Sequence, residues 1–138
     1  MKEYEITIEA AADYLPQVMQ FIEQHLEEVD CPVKSQMQIS IAVEEIFVNV
    51  AHYAYQPGKG DVTVRIGFSE EPAFVQITCA DQGIPYDPLA KTDPDVTVSV
   101  KERQVGGLGI FMTKKMMDEM AYERRDGWNI LQMKKNLS

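Results

Sequence analysis

Alternating and helical patterns of apolar residues divide the chain into predicted strands and helices. Residues 2–9 alternate between polar and apolar positions, as a half-buried strand does, and residues 62–68 and 75–79 repeat this period of two. Apolar residues recur at helical spacing over residues 15–29, about 35–55 and about 108–120. Asp126-Gly127 is a strong two-residue turn signal, so residues 121–135 are predicted to form a hairpin.

Local signals set the expected helix boundaries. Asp13 fits the N-cap of the first helix, Pro16 lies in its first turn, and Cys31-Pro32 ends it. Ser35-Gln36-Met37-Gln38 has the capping-box pattern, in which the serine hydroxyl and the glutamine satisfy each other's backbone amides. The second helix is therefore expected to begin near Ser35 and to run to about Tyr55.

The predicted order of elements is β-α-α-β-β-α-β-β. Grouped helices and about five strands indicate an α+β two-layer sandwich, a mixed sheet with helices on one face. The opposite, solvent-facing side is expected to carry Thr63, Arg65, Gln76 and Thr78. The 138 residues fit one domain, 1–138. Residues 82–105 show no sustained period, and so long a connection is often a functional lid.

Charge and composition exclude some classes of function. A net charge of −9 and a pI near 4.6 argue against a nucleic-acid-binding surface, which needs a basic stripe. No apolar run approaches the ~20 residues of a membrane span, and the first residues do not resemble a signal peptide. We therefore expect a cytoplasmic protein that contacts neither nucleic acid nor membrane. The spacing of its two cysteines fits neither a disulfide framework nor a zinc site.

The second predicted helix carries a carboxylate and a carboxamide one turn apart, Glu45 and Asn49. Polar groups beside apolar helix faces are costly unless they find partners. Asn49 could give its carbonyl oxygen to Mg²⁺, which prefers oxygen ligands, and Glu45 could then act as a general base toward a hydroxyl or a water. A solvated stripe on an amphipathic helix would give the same pattern.

Two glycine-containing segments follow. Asp81 has the same parity as the inward-facing residues of its strand, so its carboxylate needs a hydrogen-bond donor, and the amino group of adenine is one. Gly83, two residues later, permits close backbone approach or a positive φ. Gly106-Gly107-Leu108-Gly109 precedes a helix, where backbone amides can bind an anion. Taken alone, the first segment is more simply explained by a strand-ending turn, and the second could be a flexible hinge before a helix. The order of all three signals favours a nucleotide site.

The pattern Glu45…Asn49, Asp81-x-Gly83 and Gly107-x-Gly109 is similar to the N, G1 and G2 boxes of the GHKL ATPase and kinase superfamily. Within it, residues 44–55 and 106–111 more closely resemble the bacterial anti-sigma-factor serine kinases. The resemblance covers nearly the whole chain.

This resemblance implies a Bergerat ATP-binding fold with ATP and Mg²⁺ as cofactors. Asn49 would bind Mg²⁺, Glu45 would activate the acceptor serine, and Asp81 would contact adenine. The pocket would be shaped by the glycines and their neighbour, Gly83, Gly106, Gly107, Leu108 and Gly109. The implied partners are a small anti-anti-sigma protein with an acceptor serine and a sigma factor or related regulator, and the resemblance also implies a homodimer, since dimerisation is common in that family.

Two departures from the family pattern bear on catalysis. Members often carry a histidine near the position of Tyr53, whereas His52 lies one residue earlier and about 100° away around the helix. Val105 precedes the glycines where some relatives have a basic residue, so Arg103 or Lys101 would supply the cation for the γ-phosphate. The alternatives are a non-catalytic nucleotide-binding interaction switch and an ATPase of the same superfamily.

Overall fold

A computed structural model of the protein describes residues 1–90 and 107–137. Lys101, Arg103, Val105 and Gly106, and the predicted lid beyond residue 90, lie outside the described residues. The strands and helices, in chain order, are β1 (Lys2–Glu9), α1 (Leu15–Glu28), α2 (Val33–Tyr53), β2 (Asp61–Glu70), β3 (Ala73–Asp81), α3 (Gly107–Met116), β4 (Glu119–Arg125) and β5 (Trp128–Asn136). Two short 3-10 helices, Ala12–Tyr14 and Pro88–Ala90, precede α1 and follow β3.

The five strands form one sheet in the order β1-β2-β3-β5-β4, and all four neighbouring pairs are antiparallel. The predicted α+β sandwich of five strands is confirmed, but the expectation of a mixed sheet is wrong. The strands β3 and β4 do run in the same direction, yet β5 lies between them and pairs antiparallel with both. The turn at Asp126-Gly127 makes β4 and β5 an antiparallel hairpin, since both residues have positive φ, as a tight hairpin turn requires.

The hydrophobic core lies between one face of the sheet and the helices. Alternate residues of the strands supply its floor, including Val64, Ile66, Ile77 and Met133, and α1 and α2 cover them with residues such as Phe47. On the opposite face, Thr63, Arg65 and Gln76 are at least partly exposed as expected, whereas Thr78 is buried. Thr78 sits on the central strand between Arg65 and Gln132, whose side chains flank it on the same face.

Helix boundaries differ from the local signals. The helix α2 begins at Val33 with Pro32 as N-cap, and Gln36 N–H donates to Pro32 O at 2.8 Å, so Ser35 lies inside the first turn and forms no cap. Asp13 falls in the preceding 3-10 helix rather than at the N-cap of α1. The last helix ends at Met116 because Met120 pairs with Met133 in the sheet. Within the described ranges, no helix is both long and apolar enough to cross a membrane.

Candidate active site

A pocket opens at the end of the sheet where β3 finishes and β5 begins. The second half of α2 forms one wall, and the chain that follows β3 forms another. Its lining is mainly apolar and aromatic, with a few polar groups directed inward, which is the usual composition of a small-molecule site. The lining residues are Ile46, Asn49, Val50, Tyr53, Ala54, Cys79, Asp81, Ile84, Tyr86, Pro88, Tyr122, Asn129 and Leu131.

Asn49 lines this pocket and carries a polar atom without a partner. Its side chain is only 6% exposed, and within the described part of the chain its Oδ1 accepts no hydrogen bond. A buried carbonyl oxygen in that state is uncommon in native proteins and calls for an explanation, such as an ion or ligand. Mg²⁺ takes oxygen ligands and keeps several waters and substrate phosphates, so one amide oxygen at the wall of a pocket fits it.

The residues of the described chain do not form a metal centre by themselves. Among them, no cluster of three or more His, Cys, Asp or Glu side chains is placed to hold an ion. This agrees with a Mg²⁺ ion that is bound mainly by nucleotide phosphates and water and is anchored by one protein oxygen, the arrangement in which magnesium is usually found.

Glu45 lies one helical turn before Asn49 and contacts the first turn of α3. A Cβ atom built on Gly109 would lie 1.8 Å from the Glu45 Cδ and Oε1 atoms, so the carboxyl group packs directly over the glycine. Burial, followed by the nearby Glu44 charge, raises the pKa of Glu45 above its ordinary value. A carboxyl group with a raised pKa is better suited to accept a proton than one left in water.

The sequence-predicted glycine segment therefore lies against the candidate base. Gly107, Leu108 and Gly109 form the first turn of α3, where backbone N–H groups have no partner inside the helix. Such a helix end attracts anions through these amides and through the helix dipole. The structure thus brings together Glu45 and Gly109, which are 64 positions apart in the sequence, as the nucleotide-site prediction requires.

Asp81 ends β3 on the pocket side and is 5% exposed. Its Oδ1 accepts hydrogen bonds from Gly83 N–H and from Asn129 Nδ2, both at 2.9 Å. Within the described residues both donors reach the same oxygen, so Oδ2 remains for a ligand. A Cβ on Gly83 would lie 2.2 Å from Ala54 O, so Gly83 is needed for close approach to the end of α2, and not for a positive φ.

Asn129 is a site residue that the sequence analysis missed. It is 5% exposed, and its Nδ2 donates to Asp81 Oδ1 and to Ile84 O, at 2.9 and 2.8 Å. Its Oδ1 accepts from Tyr122 Oη and from Tyr86 N–H. All four hydrogen-bonding positions of the amide are filled. Asn129 therefore fixes both the orientation of Asp81 and the first residues of the predicted lid.

The sequence analysis also missed the role of Tyr55, which holds together the segments beside the pocket. Its Oη donates to Asp61 O at 2.6 Å and accepts from Gln82 N–H at 2.7 Å. The ring packs over Gly60, where an added Cβ would meet the ring carbon Cε1 at 2.2 Å. One side chain thus connects the chain after α2, the start of β2 and the first residue after β3. The predicted hairpin is the one sequence signal that could have placed Asn129 near the site, and no local signal indicates that Tyr55 makes these contacts.

The floor and mouth of the pocket carry further aromatic and sulfur groups. Cys79 lies in the floor, and burial, followed by the Asp81 charge, raises the pKa of its thiol to about 12. The rings of Tyr53 and Tyr86 stack at the mouth, with centroids 5.7 Å apart. His52 is exposed and lies outside the pocket lining, so Tyr53 occupies the pocket position, in agreement with the helical spacing.

Comparison with known proteins agrees with this geometry. The profile of the family described as "Histidine kinase-like ATPase domain" matches residues 8–135. The chain belongs to this family. The predicted membership of the GHKL superfamily is therefore confirmed, and the family's ATP-binding character implies use of a nucleotide.

Two curated relatives and one crystal structure illustrate the likeness. Serine/threonine-protein kinase BtrW of Bordetella bronchiseptica is 29% identical over 93 residues, which are 67% of this chain and 65% of the relative. Serine-protein kinase RsbW of Bacillus cereus is 27% identical over 100 residues, 70% of this chain and 61% of the relative. The RsbU and RsbW domains of a Mycobacterium tuberculosis protein superpose with a TM-score of 0.71 at 16% identity, over 99% of this chain and 33% of that one.

The curated relatives and the crystal structure support different conclusions about this chain. The matched region spans less than two thirds of the two curated relatives, so their activity as whole proteins is not transferred by the match alone. The crystal structure shows the shared fold. The roles of Glu45, Asn49 and Asp81 remain predictions that the geometry supports.

Proposed function

We propose that this chain is a Mg²⁺- and ATP-dependent protein serine/threonine kinase of the anti-sigma regulatory type. One observation carries the proposal: Glu45 packs on Gly109 at the start of α3, one turn from the Asn49 Oδ1, which no described residue hydrogen-bonds. A carboxylate, an oxygen ligand for a metal and a phosphate-binding helix end are the parts that phosphoryl transfer requires. The similarity to BtrW and RsbW, both named as serine kinases, supports this reaction over others.

Each residue has a separate task in this proposal. Asp81 accepts a hydrogen bond from the adenine amino group at Oδ2, while Asn129 and Gly83 hold Oδ1. Asn49 holds Mg²⁺, which when bound neutralises phosphate charge. Glu45 takes the proton from the acceptor hydroxyl as that oxygen bonds to the γ-phosphorus of the substrate ATP, the bond from the γ-phosphorus to the bridging oxygen breaks, and ADP leaves. The raised pKa of Glu45 suits that proton transfer. Gly107, Leu108 and Gly109 present the helix end, while Gly106 and Arg103 complete the phosphate side as sequence-based assignments.

The proposed protein partners follow from the family resemblance, and the names of the relatives, both serine kinases, support a serine-bearing protein substrate. They are a small anti-anti-sigma protein that carries the acceptor serine, and a sigma factor or related regulator that the kinase binds. We further propose that the protein acts in the cytoplasm and that it forms a homodimer.

Calorimetric titration tests the nucleotide site directly. Purified protein is titrated with ADP and with a non-hydrolysable ATP analogue, each with and without Mg²⁺. We expect Mg²⁺-dependent binding that Asn49→Ala removes and that Glu45→Ala retains. Unchanged Mg²⁺-dependent binding in Asn49→Ala would contradict the role of Asn49, and absence of binding to the wild-type protein would remove the kinase proposal.

A non-catalytic nucleotide switch is the second candidate. Among the described residues that line the pocket, none is basic, although phosphoryl transfer benefits from a cation near the γ-phosphate. A chain that binds Mg-ATP but transfers no phosphate to any serine-bearing partner would fit this alternative. Glu45→Ala separates the two candidates, because it abolishes transfer by a kinase and leaves a switch unaffected.

A further inference from the structure

The first half of α2 presents a row of apolar side chains to solvent. Val33, Met37 and Ile41 follow at intervals of four residues and are 83%, 57% and 40% exposed. Side chains at this spacing are neighbours on a helix surface, so the three form one continuous strip. Single exposed apolar residues are ordinary, whereas a contiguous strip marks an interaction surface.

This strip forms one wall of a groove between α1 and α2. The opposite wall comes from the start of α1, with Leu15, Pro16 and Met19. The groove has a volume of about 580 Å³ and is open to solvent. Glu23 and Glu44 are the charged residues in its lining, and both are acidic.

We propose that this groove binds an amphipathic helix of a partner protein that carries Lys or Arg beside its apolar face. Helices that dock in grooves insert apolar side chains at i, i+3, i+4 and i+7. From Val33 to Ile41 the strip is about 12 Å long, at a rise of about 1.5 Å per residue, which matches about two turns of such a helix. Basic residues on its flanks would face Glu23 and Glu44.

The same charges disfavour the other occupants. A two-fold contact with a second copy would bring the Glu23 and Glu44 side chains of both protomers close together, and each chain carries a net charge of −9. Nucleic acids and anionic membranes would meet the same repulsion. A basic helical segment is the partner chemistry that both the apolar strip and the acidic lining accommodate.

The groove also leads toward the candidate active site. The interval of four residues continues from Ile41 through Glu45 to Asn49, where exposure falls to 6%. Glu45 therefore lies one helical turn, about 6 Å along α2, beyond the last residue of the strip. We infer that the partner is the kinase's protein substrate; this last step rests on the proposed function, whereas the binding of a basic helix does not.

Two synthetic peptides of about 15 residues, long enough to form a marginal helix, test the groove. Both carry leucines at i, i+3, i+4 and i+7; one has lysines on the flanks and the other has glutamates. Fluorescence anisotropy measures their affinity for the intact protein, and amide chemical shifts map where they bind. We expect the lysine peptide to bind at least tenfold more tightly and to perturb residues 33–41. Equal affinities, no binding, or perturbations elsewhere would overturn the proposal.

Matched variants locate the contact. Met37→Ser should weaken the lysine peptide about tenfold, since a central apolar anchor is lost and no charge is added, whereas Met112→Ser, at a methionine on α3 that is 43% exposed, should leave it unchanged. Glu23→Lys should reduce the preference for the lysine peptide, because it leaves one basic and one acidic residue in the lining. Equal effects of the two methionine variants would overturn the assignment. Titration of the same samples with Mg-ATP separates the groove proposal from the kinase proposal. If the wild-type protein binds the lysine peptide but not Mg-ATP, only the kinase proposal is contradicted.

Discussion

Two buried asparagines of nearly equal exposure provide the sharpest test of the site. Asn49 is 6% exposed, and its Oδ1 accepts no hydrogen bond from residues 1–90 or 107–137. Asn129 is 5% exposed with every hydrogen-bonding position filled. We expect substitution by leucine to change the free energy of unfolding in opposite directions at these two positions. The reason is that one substitution removes an unsatisfied group and the other removes a satisfied network.

The magnitudes follow from the hydrogen bonds. An unsatisfied buried carbonyl costs about 1–3 kcal/mol, and leucine has the better helix propensity, so Asn49→Leu should stabilise the protein without ligand by about 1–2 kcal/mol. Asn129→Leu removes four hydrogen bonds that each contribute about 1 kcal/mol net, so it should destabilise by about 4 kcal/mol.

Urea denaturation without nucleotide measures both changes. With a slope of about 2 kcal/mol per M, the midpoint should rise by about 0.5–1 M for Asn49→Leu and fall by about 2 M for Asn129→Leu. Asn49→Leu should also lose the Mg²⁺-dependent part of nucleotide affinity. A shift of both midpoints in the same direction would refute the reasoning from the unpartnered oxygen, and so would retained Mg²⁺ dependence in Asn49→Leu.

Three further predictions concern the groups around the pocket. Burial raises the pKa of Glu45 in the folded state, so its contribution to stability is greatest below the unfolded-state pKa and is lost as pH rises through the folded-state pKa. The free energy of unfolding of Glu45→Gln should lack this decline with pH. Parallel pH profiles of wild type and variant would contradict the prediction. A Cβ at position 109 would lie 1.8 Å from the Glu45 carboxyl, so Gly109→Ala should displace that carboxyl, and ¹³C titration should show its pKa moving toward the ordinary value. The control Gly67→Ala should not change the pKa of Glu45. Tyr55→Phe should destabilise by about 1–2 kcal/mol and speed hydrogen exchange at Gln82 N–H; unchanged exchange there would count against the contact.

The parts of the site that depend on one helix could be predicted from the sequence. Glu45 and Asn49 lie one turn apart in any α-helix, and Tyr53 rather than His52 then faces the same pocket. The hairpin was also predictable, because a turn with two positive φ values strongly favours Asp-Gly. These predictions require only short-range geometry, which local sequence determines.

The contacts that unite distant segments could not be predicted. Asn129 reaches Asp81 only because β5 pairs beside β3 with those two residues opposite one another, and strand order is not contained in the periodicity of either strand. The wrong expectation of a mixed sheet has the same origin. The start of α2 was predicted wrongly for a different reason, because Pro32 takes the N-cap position despite the capping-box pattern at Ser35. The assignments of Arg103 and Gly106 lie outside the described residues and stay predictions.

The thiol in the pocket floor offers a natural reporter of the site's opening. With a pKa of about 12 and almost no exposure, Cys79 is protonated and shielded at neutral pH, so an alkylating reagent reaches it only when the pocket opens. Its labelling rate then measures the free energy of that opening. A ligand that holds the pocket closed would slow the reaction at Cys79, while Cys31, remote from the pocket lining, serves as an internal reference. The chain thus contains its own probe for unlabelled ligands, without an engineered dye or tag.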